Sequence, residues 1–341
     1  MSTANAAPPI TLNETFSFYV PSSNASLIAV CSELSDAVTV KGPQGPATIR
    51  AMRDQGWDRT ALFDEGGYDP KVAAVDTEAW LDDQARAGAD RLLSAGTWVP
   101  WDPTGDALVR AIDTEMERLR RWSDASALLA IDHRWLTRAP MKLVEALTGL
   151  DRPVSLVLAH PTDPLSATSA VDGLITLVSN VSDVAILRTD HGGLGAIVYG
   201  AQHAALGLLG TYRHFVPVGQ QGGGKLDDRT ARVFIREMLD WFTALTIAGW
   251  GALSWDLRCD LTCCDGQRLD RFFDERLEHE AMVHNRTALA YLAEEILSAP
   301  RDERRRAFSA MCSQALTRYG AMGKLSMVTK PKPQLVQWAF A

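Results

Sequence analysis

The sequence predicts an α/β chain built as a (β/α)8 barrel of the TIM type, with a small extra subdomain near the carboxyl end. Three observations predict it. Short apolar segments bounded by turn residues alternate with longer amphipathic stretches, the pattern of repeated βα units. Eight or so such units fit the 341-residue chain at about the 250 to 300 residues that this barrel needs. No G-x-G-x-x-G follows the first strand, the mark that a doubly wound dinucleotide-binding sheet would carry.

Taken in order, residues 1–15 read as a disordered lead and 16–256 as the barrel. The predicted strands are Phe16–Val20, Leu27–Val30, Thr60–Phe63, Arg91–Ser94, Ala127–Ile131, Val154–Leu158, Val184–Leu187, Arg213–Val216 and Gly251–Trp255. Between them the periodicity predicts helices over Pro46–Gln55, Thr77–Gly88, Gly105–Trp122, Met141–Thr148, Ser166–Val178, Leu194–Leu208 and Asp228–Ala248, with a last one over Arg268–Ser298. Residues 257–298 form the extra subdomain, and 299–341 a helix and tail.

In such a barrel, function gathers at the carboxyl ends of the strands. Those ends carry Asp64-Glu65-Gly66-Gly67-Tyr68, Asp132-His133, His160-Pro161, Arg188-Thr189-Asp190-His191, and Asp256 with Arg258. Acids and histidines recur there above apolar strands, as a polar mouth over a packed barrel requires. Each aspartate taken singly also reads as a helix cap or turn residue. A lone histidine after a strand, such as His160, His191 or His214, is more often structural than a ligand-binding group.

Composition bounds the partners. A net charge of −8 excludes a globally basic, phosphate-binding surface, and the run Arg304-Arg305-Arg306 reads as a solvated helix face. No apolar run approaches the roughly 20 residues that cross a bilayer, so a cytoplasmic protein without a membrane partner is expected. Gln220 to Lys225 lacks the full phosphate-loop pattern and predicts no ATPase.

Three of the five cysteines, Cys259, Cys263 and Cys264, crowd one short loop, and His284 follows in a helical stretch with nineteen residues between it and Cys264. Neighbouring charges (Arg258, Asp260, Asp265, Arg268) suit ligands better than core thiols. A cysteine loop followed by a histidine on a helix is a structural zinc pattern. The adjacent pair Cys263 and Cys264 leaves the set at three cysteines plus His284, or one fewer.

At this point the chain resembles the tRNA-guanine transglycosylase superfamily, zinc-bearing (β/α)8 proteins that exchange a purine-like base at a nucleotide. Cys259, Cys264 and His284-Asn285 match the outer spacing of the family's C-x-C-x2-C loop and its His-Asn pair, with Leu261 at the middle cysteine. Asp64-Glu65-Gly66-Gly67-Tyr68 is similar to the family's D-S-G-G-[FY]. Gln84 to Asp90 is similar to its Q-x-x-x-G-A-D. The family's base-recognising aspartate has no counterpart, because that strand ends in Ala95-Gly96; the segment around its nucleophile is reduced to Ser254-Trp255-Asp256-Leu257-Arg258.

The resemblance implies a structural zinc and a purine or 7-deazapurine base exchanged in a nucleic acid or nucleoside. It implies Asp64 as general acid/base and Asp256 as nucleophile, with Asp190 a competitor for the second role. Gly66, Gly67, Tyr68, His160, Arg188 and His191 would bind substrate, and Trp98 and Trp101 could stack on a base. A homo- or heterodimer is compatible with this reading. A rival reading is a non-catalytic binding subunit of a heteromeric complex; another, a zinc hydrolase, fits thiolate-rich ligands poorly.

Overall fold

The computed structural model describes residues 12–73, 76–217, 219–220, 230–252, 257–324 and 330–341. The first half alternates strand and helix: β1 (Thr15–Pro21), α1 (Ala25–Ser32), β2 (Ala37–Lys41), α2 (Gly45–Arg53), β3 (Thr60–Asp64), α3 (Thr77–Arg86), β4 (Thr97–Val99) and α4 (Asp106–Arg118). It continues through β5 (Ala127–Asp132), α5 (Arg134–Arg138), α6 (Pro140–Thr148), β6 (Val154–Ala159), α7 (Ala170–Asn180), β7 (Val184–Thr189), α8 (Gly192–Tyr199) and β8 (His203–Gly207). A hairpin of β9 (Arg232–Ile235) and β10 (Asp240–Thr243) follows, then α9 (Ala244–Ala252), α10 (Glu278–Leu297), α11 (Arg304–Lys324) and α12 (Pro333–Ala339).

Among the described residues, β1 to β8 form one parallel sheet in the order β3-β2-β1-β8-β7-β6-β5-β4. The first and last strands pair with each other, and the order runs outward from them on both sides, so the sheet follows the circuit of a TIM-type barrel. Only the β3/β4 junction lacks a ladder. There Asp90 N–H bonds to Ala61 O (3.3 Å), Ala61 N–H to Asp90 Oδ2 (3.0 Å) and Gly67 N–H to Ala95 O (2.9 Å). Gln84 on α3 clamps both backbone groups of Leu93, at 2.7 and 3.0 Å, standing in for the missing strand neighbour. The Gln84–Asp90 motif therefore closes the barrel. Gly67 is required there, since a Cβ would lie 2.8 Å from Ala95 O.

Strand residues alternate between two buried faces. Phe18, Val38, Phe63, Leu129 and Ile186 pack outward under the helices, while Tyr19, Leu62, Leu128, Val157, Leu187 and Ala205 fill the lumen. The floor of the lumen is polar and satisfied: Ser17 Oγ meets Thr39 Oγ1 (2.7 Å) and His203 Nε2 (2.9 Å), and Ser126 meets Ser155.

Several expectations need correction. Leu27–Val30 is helix α1, because Asn24 Oδ1 accepts from Leu27 N–H and starts it; a short apolar run does not distinguish strand from helix. The stretch Leu194–Leu208 divides: Gly200 (φ +132) ends α8, and β8 follows. Asp228–Ala248 contains the β9–β10 hairpin, and its α-helical part among the described residues begins at Ala244. Of Arg91–Ser94, Leu93 makes a single bridge to Ser126; of Arg213–Val216, Phe215 makes one to Ala159. Of Gly251–Trp255, the first two residues end α9 and the rest lie outside the described residues. The barrel circuit thus ends at Gly207, not at residue 256. Of the lead 1–15, residues 12–15 are ordered: Leu12 is buried, and Glu14 pairs with Arg301 and Arg304. Residues 1–11 and Asp256 lie outside the described residues. Among the described residues, no helix is long and apolar enough to cross a membrane.

The carboxyl-terminal helices pack on α8, whose glycines make room for them. A Cβ at Gly195 would lie 2.8 Å from Phe308 of α11 and 2.9 Å from Trp338 of α12.

Candidate active site and metal centre

The cysteine loop is a tight turn. Cys259 N–H bonds to Gln267 O, Gly266 N–H to Cys259 O and Cys264 N–H to Leu261 O, with Asp265 and Gly266 both in the left-handed region. It places Cys259, Cys263 and Cys264 against His284 on α10, so that one donor atom from each lies within 4.8 Å of the others. His284 Nδ1 is 3.5 Å from Cys259 Sγ and 3.4 Å from Cys264 Sγ, and the Cys263 and Cys264 sulfurs are 3.7 Å apart. Ligands about 2.3 Å (S) and about 2.0 Å (N) from a tetrahedral centre stand about 3.5 to 3.8 Å from one another. These three separations are close to that spacing, adjacent cysteines included, and the four donors could hold a metal ion.

Outer contacts fit the same purpose. The His284 Nε2–H donates to Phe234 O (2.9 Å), which turns Nδ1 toward the sulfurs. A hydrogen bond from Cys259, followed by His284 and Arg271, pulls the Cys264 thiol down to about 3, while Cys259 is pushed up; the pair favours a thiolate at Cys264. Burial pulls His284 down, but its contacts with Cys263 and Cys264 outweigh that and lift it to about 9.

At the barrel mouth Asp64 ends β3 on the lumen side, fully buried. Its Oδ2 accepts from the hydroxyls of Tyr19 and Tyr68, while Oδ1 is buried with no partner among the described residues. Burial and then Asp64 push both hydroxyls up, so they remain donors. Lys41 is the register partner of Asp64 across β2 and β3; burial and then Arg188 lower its ammonium, against the pull of Asp64. Glu65 is also fully buried with neither oxygen bonded among the described residues; burial and then Asp64 raise it to about 7.

Arg188 has a backbone φ of +52, a strained conformation for a residue with a side chain. It donates to Tyr68 Oη (3.4 Å) and to Thr211 O (2.8 and 3.2 Å), tying the segment after β8 across the mouth. The β6–β7 ladder ends at Val157 and Leu187, and beyond it Phe215 bonds to Leu158 O and His160 N. The ring of Phe215 lies over Tyr68 and Trp98. Where the resemblance implies a base-recognising acid, Gly96 (φ +94) is hemmed in: a Cβ would lie 2.9 Å from Tyr68.

The other predicted residues do not converge on Asp64. Asp190 Oδ1 caps α8 through Gly192 N–H (2.8 Å), and its Oδ2 meets Gln334 Nε2 (3.2 Å) and Lys332 (3.8 Å). Lys332 also bonds Asp240 (2.9 Å) and approaches Asp163 (3.6 Å), so Asp190 anchors the carboxyl-terminal tail. His191 is buried against Phe234, with Nδ1 making no hydrogen bond among the described residues. His160 Nδ1 accepts from Thr162 N–H, and its ring meets His133 edge-on. Asp132 is held by Arg134 at both oxygens. Gly66 (φ +87) lets Lys41 approach; a Cβ there would sit 3.3 Å from its Cε.

Tyr19, Lys41, Phe215 and the Lys332 cluster were not singled out as mouth residues. Lys41 lies on β2, a strand that the sequence reading does not predict; Tyr19 and Phe215 lie in predicted strands, but nothing local marks them as mouth residues.

No protein-family model matches the chain, and no curated protein does. Among solved structures, a mutant tryptophan synthase α-subunit from the hyperthermophile Pyrococcus furiosus is a neighbour at 12% identity and a TM-score of 0.38. The match covers 57% of this chain and 87% of that one. The barrel is established by the strand order itself.

Proposed function

We propose that the chain is a transglycosylase-like protein that exchanges a purine or 7-deazapurine base at a nucleotide, with a structural zinc in the Cys259, Cys263, Cys264 and His284 centre. The observation that carries it is the Oδ1 of Asp64, buried with no partner among the described residues, at the carboxyl end of a barrel strand and in the motif that the resemblance assigns to proton transfer. Four protein donors leave zinc no open position, so its role is to hold the loop on α10.

In this reading the base leaves as the Asp256 carboxylate bonds to C1′, and the incoming base then bonds to C1′ and displaces that carboxylate. Asp64, with Oδ2 fixed by two tyrosines, gives a proton through Oδ1 to the departing base nitrogen and takes one from the incoming base. Lys41 and Arg188 are the cations nearest this proton transfer. A second reading, a non-catalytic partner subunit, is favoured by the complete burial of Asp64 beneath Tyr68 and Phe215. Incorporation of labelled guanine into tRNA or DNA by the purified, zinc-loaded chain is the test. Labelled polynucleotide is expected; none from either substrate, with incorporation restored only by a partner protein, would favour the second reading.

A further inference from the structure

The barrel mouth holds one of the chain's own rings in surroundings suited to a planar ligand. Phe215 is 2% exposed, with Tyr68 edge-on at 5.1 Å, Trp98 edge-on at 5.5 Å and the Arg188 guanidinium 5.6 Å from the ring centre. Aromatic edges and a cation over a flat ring are how proteins seat a base. Tyr68 in turn donates to Asp64 Oδ2, and Asp64 Oδ1 is buried with no donor among the described residues. A phenyl ring offers it nothing, whereas the N–H edge of a base would satisfy it.

Phe215 is also held more lightly than the strand residues around it. Its backbone joins the sheet through one bridge, at the place where the β6–β7 ladder has stopped. The segment reaches the mouth by folding back on Gly207, where a Cβ would lie 2.1 Å from Tyr212 O, and strained Arg188 ties it down at Thr211.

We propose that Phe215 occupies the seat of the substrate base, and that a purine or 7-deazapurine enters by turning this ring out, to lie between Tyr68 and Trp98. The inference rests on the base-exchange reading and names where the base binds. Calorimetric titration of 7-deazaguanine into wild type, Phe215→Ala and Phe215→Trp tests it; with ten tryptophans, fluorescence would not isolate Trp98. Removing the competing ring is expected to tighten binding about tenfold or more, and enlarging it to weaken binding about tenfold, since affinity scales with the fraction of molecules whose seat is open. The base is also expected to raise the melting temperature of Phe215→Ala more than that of wild type, by filling the hole left behind.

Equal affinity in all three would place the base elsewhere and overturn the inference while leaving base recognition standing. No binding by any of them would remove both. If Phe215→Ala does not fold, Phe215→Trp decides alone: weaker binding supports the seat, and unchanged binding overturns it.

Discussion

Asp64 and Glu65 are chain neighbours with opposite surroundings. Asp64 has two tyrosine donors and a register-paired lysine, while Glu65 has no hydrogen bond among the described residues. Glu65 is raised from 4.5 to about 7, so between those pH values the folded chain keeps a proton that the unfolded chain has lost, and stability falls as pH rises through that window. Glu65→Gln removes this fall. At pH 8 the variant is expected to be more stable than wild type by about 1 to 3 kcal/mol, with little difference at pH 4. Urea unfolding at both pH values checks it; the same difference at both would show that Glu65 ionises freely in the fold. Asp64 and the four metal-ligand candidates were legible as residues because each stands in a short motif. Lys41 was not, since only strand pairing sets it beside Asp64, and Asp190 reads equally well as a cap or a nucleophile until Gly192 and Gln334 are seen on it.

Elements were read well where periodicity was strong, as in β1, β3, β5, β6, β7 and helices α2 to α4. The failures share a cause. His203–Gly207 carries alanines that favour helix in isolation, but the strand is imposed by pairing with β1 and β7 on either side. The β9–β10 hairpin hides in a stretch of helical spacing and turns at Leu239, in the left-handed region. That hairpin matters to the metal centre, because β9 supplies the Phe234 carbonyl that orients His284, and Asn285 bonds the same strand at Phe234 N–H and Arg232 O. The loop and α10 are therefore expected to separate when either side loses a donor. If the cluster holds zinc as proposed, Cys264→Ala and His284→Ala should each lose it by elemental analysis, whereas Cys31→Ala, far from the cluster in sequence and buried on α1, should retain it. Zinc retained by both cluster variants would place the ion elsewhere.

Among the described residues the barrel has eight short strands, the last ending at Gly207, and the chain after it folds back on them. It returns twice to the carboxyl end of the strands: as the Thr211–Phe215 segment across the mouth, and as Lys332 and Gln334 on Asp190. The fold class was legible from unit count and length, but this return was not, since nothing local marks which late residues reach back to an early strand. Base exchange at the mouth through Asp64, as proposed, is tested by the exchange rate of Asp64→Asn beside wild type, on the same polynucleotide and at equal zinc content. Exchange by wild type and a loss of about 10²-fold or more in the variant are expected, as removal of a positioned acid/base gives. Equal rates in the two proteins would contradict the proposal.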